Sequence, residues 1–81
     1  MSFKPTEKLK KRQGARYSDA DWDTMCFWLE EMQDTGRTNF RAQLMRLMMK
    51  ADTHNFNLLQ DAFPIEGNLV AWFRSGEIEE A

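Results

Sequence analysis

Residues 38–51 constrain this chain more than any other stretch. They read as a helix that is apolar on two faces. At about 100° per residue, Phe40, Leu44, Leu47, Met48 and Ala51 fall on one stripe. Ala42, Met45 and Met49 fall nearly opposite, with Arg41, Arg46 and Lys50 between the stripes. No acidic residue occurs from position 35 to 51. A helix with two apolar faces needs cover on more than one side. It is either the central helix of a very small domain or a helix shared between two subunits.

Length sharpens that choice. The chain has 81 residues, the size of one domain, and a domain this short buries only about 60% of its unfolded surface. One cysteine, Cys26, excludes an internal disulfide, and one histidine, His54, without cysteine or histidine partners at ligand spacing leaves no zinc cluster. The apolar load is nevertheless large, with six Met, six Phe and three Trp. So much apolar surface on so little interior predicts oligomerisation or a broad partner surface. No apolar run approaches the roughly 20 residues of a membrane span. A basic N-terminal run without an apolar signal core, together with a free cysteine, points to the cytoplasm.

Charge is segregated along the chain. Lys4, Lys8, Lys10, Lys11, Arg12 and Arg16 face only Glu7 within residues 1–16. Asp19, Asp21, Asp23, Glu30, Glu31 and Asp34 follow with no base among them, then the basic stretch 35–51, then Glu77, Glu79 and Glu80. Residues 1–16 are expected to form a flexible basic arm, 17–76 a single helical domain and 77–81 a frayed acidic tail. The expected fold is all-α, with four helices near 19–34, 38–51, 54–63 and 65–75.

Capping chemistry sets those bounds. Ser18 opens the first helix, and its early acids suit the positive end of the helix dipole. Trp22, Met25, Cys26, Leu29 and Met32 form its core stripe, and Cys26 there reads as a small buried apolar residue. Phe27 and Trp28 lie off the stripe. Gly36 is expected to close this helix in the left-handed region and Thr38 to cap the next. The short link makes the first two helices pack antiparallel or at a corner, so that their opposite charges face each other in part. Asp52 or Thr53 caps the third helix, whose stripe is Phe56, Leu59, Ala62 and Phe63, with Leu58 at its edge. His54 is a surface residue of its first turn. Pro64 opens the fourth helix, carrying Ile65, Leu69, Trp72 and Phe73, and Gly76 ends it. The one candidate strand lies near residues 13–17.

Residues 12–50 resemble a ribbon-helix-helix DNA-binding domain. A basic piece at 12–17 precedes Ser18-Asp-Ala-Asp-Trp, which opens an amphipathic helix; Thr35-Gly-Arg-Thr makes a turn, and Leu44-Met-Arg-Leu-Met continues the next helix. The resemblance implies a dimer whose paired strands enter the major groove, with a phosphate held at the start of the second helix. Carried over, Gln13 and Arg16 would lie near bases, and Arg37, Thr38 and Asn39 near a phosphate. In a DNA binder the basic arm would add Lys8, Lys10, Lys11 and Arg12 on phosphates or groove edges. The chain departs from the family pattern at Gly14, at Phe40 and in its third and fourth helices.

The sequence therefore leads to a small non-enzymatic binding protein, first of all a dimeric DNA-binding regulator. The alternative is an adaptor or inhibitor of the phage or plasmid accessory type that covers a partner protein's surface. Phe27, Trp28, Ala42, Met45 and Met49 are the expected partner or oligomer interface. No acid–base pair, nucleophile motif, cofactor loop or metal cluster is readable.

Overall fold

The computed structural model describes residues 2–81. A short strand, β1 (Phe3–Pro5), leads into helix α1 (Glu7–Gln13) and a 3₁₀ turn (Gly14–Arg16). Four longer helices follow: α2 (Asp19–Gln33), α3 (Phe40–Lys50), α4 (Thr53–Ala62) and α5 (Pro64–Arg74). Strand β2 (Ile78–Glu80) then pairs antiparallel with β1, setting Phe3 against Glu80, Lys4 against Glu79 and Pro5 against Ile78. The protein is thus mostly helical, with five helices rather than four and a two-stranded sheet. No described helix is long and apolar enough to cross a membrane.

Local chemistry accounts for the helix starts. Ser18 and Asp21 form a reciprocal capping box: the Asp21 N–H donates to Ser18 Oγ at 3.1 Å and the Ser18 N–H to Asp21 Oδ2 at 3.0 Å. Asp52 caps α4, accepting from the Asn55 N–H at 2.8 Å. Pro64 occupies the first turn of α5, where its missing N–H costs nothing. Gly76, with φ of +84°, turns the chain out of α5 toward β2.

The α2–α3 link is built differently from the sequence expectation. Gly36 is not left-handed. The link is held by Asp34, whose Oδ1 accepts from the Gly36 N–H at 2.9 Å and whose carbonyl accepts from the Arg37 N–H at 2.9 Å. Thr38 is not the cap of α3. That position falls to Asn39, which makes no side-chain capping bond.

The expected flexible arm is corrected by the structure. Thr6 caps α1 through its hydroxyl, Leu9 is fully buried, and Phe3 is buried with its ring edge-on to Phe73 at 5.4 Å. Two well-placed apolar side chains anchor the segment while its lysines stay outside, so its mean polarity misstates its fate. The tail is corrected for the same reason, because Ile78 is buried beside Phe3 in one core. The candidate strand near 13–17 is the end of α1 and the 3₁₀ turn.

Helix α3 lies at the centre, packed against α2, α5 and α4. Its buried face is rotated from the expected one: Leu44 and Met48 are buried as expected, but much of the rest of both stripes changes place. Ala42 and Met45, read as interface, are buried within the chain, and Met49 packs against the core. Phe40 and Leu47, read as core, are exposed. A close approach occurs between α4 and α5, where a Cβ on Gly67 would meet Gln60 Cα at 2.8 Å.

Two single substitutions should separate this packing from the sequence expectation. We expect Leu9→Ala to cost about 2–5 kcal/mol, as for other buried leucines. In dilute protein, Leu47→Ala should stay within about 0.5 kcal/mol, because the side chain is exposed within the chain. Urea unfolding followed by circular dichroism checks both.

Candidate protein-binding face

Large apolar side chains stand exposed on α3, on α4 and at the start of α5. Phe40 is 69% exposed, Leu47 54%, Leu58 56% and Ile65, at the start of α5, 46%. Phe40 and Leu47, seven residues apart, share one stripe of α3. Leu47 and Leu58 line the same cleft of about 340 Å³, together with Lys50, Ala51, Asn55 and Leu59. The Phe40 ring lies 5.9 Å from that of half-buried Phe63, which connects α3 to the α4–α5 corner. Lys50 is the one charged residue in the cleft lining.

The fold explains why this stripe stays open. Met45 lies roughly 160° around the helix from Leu47, and the burial of Met45, Met48, Leu44 and Ala42 occupies the inner side of α3. Helix α4 leaves α3 after only Ala51 and Asp52, and among the described residues Phe40, beside Phe63, and Leu47 stay exposed. The sequence announced a surplus apolar face on α3 but not which one.

The residues expected at a nucleic-acid surface are scattered. Lys10 pairs with Asp19 at 3.4 Å and Arg12 with Glu77. Arg37 faces Glu31 at 3.9 Å and Asp34 at 3.7 Å. Gln13 is half-buried at the end of α1, the Thr38 carbonyl accepts from the Gln43 amide, and Lys8, Lys11, Arg16 and Asn39 are exposed. The two clusters flank opposite ends of α2, Lys10 at its start and Arg37 at its finish. A helix of 15 residues separates them by about 22 Å at 1.5 Å per residue. Arg12 and Glu77 also hold each other charged: the hydrogen bond to Glu77 raises the guanidinium pKa and, in return, lowers that of the carboxyl.

The remaining expected interface residues divide. Phe27 is 49% exposed beside a groove of about 450 Å³ lined by Glu30, Glu31, Gln33, Asp34 and Arg37. Trp28 is already covered, with the Arg41 guanidinium carbon 3.9 Å above its ring. Arg41 Nε also lies 3.7 Å from Glu66 Oε2. Among the described residues no group of three or more His, Cys, Asp or Glu side chains is placed to hold a metal ion. The chain matches no protein-family model, no curated protein and no solved structure.

Cys26 lies on the buried stripe of α2. Burial pushes its thiol from 9.0 up to about 11, and Asp23 and Glu30 add to the shift. Folding therefore disfavours the thiolate. The stability tied to this group is complete below the ordinary thiol pKa and is lost as pH rises from about 9 through about 11. We expect the urea midpoint to fall over that range more steeply in the native sequence than in Cys26→Ala. Alkylation of the folded protein at neutral pH should be slow and should accelerate on unfolding.

Proposed function

We propose that this protein is a small non-enzymatic binding module that docks on another protein surface through the α3–α4 face. One observation carries the reading: Phe40, Leu47, Leu58 and Ile65 are each about half exposed or more in a chain with little apolar surface to spare. Isolated exposed leucines need no explanation. A group that shares a cleft and continues through an aromatic contact marks an interaction surface. Such a face suits an interface core: an aromatic and branched aliphatics at the centre, with few charges among them.

Nucleic-acid binding stands second. Lys8, Lys11 and Arg16 are exposed and make no ion pair among the described residues. The acidic β2 segment nevertheless lies alongside β1, with Lys4 opposite Glu79, and Glu77 occupies Arg12. Neighbouring carboxylates oppose the approach of phosphate.

A photo-crosslinking side chain placed at position 47 or 58 in cells tests the docking face. We expect discrete protein adducts from these positions, none from position 11 or 79, and loss of the position-58 adduct when Leu47 is also changed to Asp. Equal labelling from all four positions would dismiss the face. On random duplex DNA at roughly 50 mM salt, where non-specific binding is strong, we expect no saturation at micromolar protein. Saturable binding that weakens steeply with salt would reverse the order of the two readings.

A further inference from the structure

We propose that the occupant of the α3–α4 face is a second copy of this chain, docked about a two-fold axis so that α3 of each copy meets α4 of the other. The inference rests on the face being a protein-docking surface and adds its partner.

Charge is divided unevenly between the two helices of that face. Helix α3 carries Arg41, Arg46 and Lys50 and no acid, whereas α4 carries Asp61, follows Asp52 and has no lysine or arginine. Arg46 and Arg41 are already engaged. Arg46 donates to the carbonyls of Glu31, Met32 and Asp34 at the end of α2, and Arg41 covers Trp28. Lys50 and Asp61 remain exposed, with no ion-pair partner among the described residues.

Each of these charges sits one turn beyond an exposed leucine of its own helix: Lys50 three residues after Leu47, and Asp61 three residues after Leu58. The same unit, a leucine followed by a charge at helical spacing, thus occurs twice with opposite sign. A two-fold axis that lays one unit on the other brings leucine to leucine and lysine to aspartate, and does so twice. A foreign partner of one prevailing sign would meet either Lys50 or Asp61 with a like charge. Self-docking is the arrangement in which both ends are satisfied at once.

The area is also adequate. Four side chains exposed to this degree present on the order of 400 Å² per copy, which is the size of a functional apolar patch. A standard interface buries about 800 Å² per partner, a little over half of it apolar. The patch supplies the apolar centre, and Lys50, Asn55 and Asp61 supply part of the rim.

Sedimentation velocity of the full chain from roughly 1 to 500 μM is the test, with charge exchange as its control. We expect a reversible dimer. Lys50→Glu and Asp61→Lys should each weaken it roughly tenfold or more, since each change turns two symmetric attractions into repulsions. The double variant, with the charges exchanged, should recover most of the loss. Leu47→Asp should give a monomer of unchanged helicity, whose urea midpoint matches that of the native chain diluted to its monomeric range and does not rise with concentration. A native chain that stays monomeric throughout, or single charge variants that dimerise as well as the native chain, would overturn the proposal. The outcomes also separate the two readings. A monomer whose position-47 crosslinks reach a different protein rejects self-docking and keeps the docking face, whereas a monomer without position-specific adducts rejects both.

Discussion

The burial of α3 on its inner side is the constraint on which the rest of the structure depends. Met45 and Met48 have no exposed surface, and Ala42 and Leu44 have almost none. With α2 and α5 both packed against this helix, the domain gains a continuous core from Leu29 through Met45 to Leu69 and Val70. The same helix completes α2. Arg46 reaches past the core to the last carbonyls of α2, with its Nε 2.7 Å from the Met32 oxygen. Helix ends leave such carbonyls unpaired, and a cation is favoured there by the helix dipole. One helix thus packs the core and caps its neighbour. Its outward stripe, Phe40 and Leu47, stays exposed among the described residues.

The charge blocks that look in sequence like separate binding surfaces meet one another in the fold. The basic start of the chain lies beside the acidic end: Arg12 pairs with Glu77, Lys4 stands across from Glu79, and the Thr6 N–H donates to the Glu77 carbonyl at 3.0 Å. Arg37 in the α2–α3 link faces the acidic end of α2, and Arg46 of α3 donates to that helix's last carbonyls. Exposed pairs of this kind contribute little stability each. Their consequence is for recognition: several cations that could have gripped a phosphate are already held by carboxylates, while Phe40 and Leu47 on α3 stay largely exposed.

The small sheet does more than join two segments. It brings Phe3 and Ile78 into the core that also holds Leu9 and Trp22. Nearby, Tyr17, Trp22 and Trp72 form an aromatic cluster, with ring centroids 5.2 to 6.3 Å apart, that ties the 3₁₀ turn region to α2 and α5. Aromatic pairs at these distances add to the stability gained from their burial. In a domain with a thin core, such closure recruits residues that composition alone would assign to tails.

The sequence by itself determined the four longer helices, because their signals are local. Ser18, Asp52 and Pro64 act within one turn of the backbone they organise, and the stripe of Trp22, Met25, Cys26, Leu29 and Met32 is read directly from 3.6-residue periodicity. It also determined that α3 carries more apolar surface than one neighbour can cover. Only the tertiary structure decided which face of α3 went inside, that Phe3, Leu9 and Ile78 belong to the core, and that the charge blocks pair within the chain. Those outcomes depend on which distant segments meet. Periodicity states that a stripe is apolar, but burial is decided by where the neighbours arrive: Ala42 and Met45 are covered by the packed core, and Phe40 and Leu47 are left facing outward.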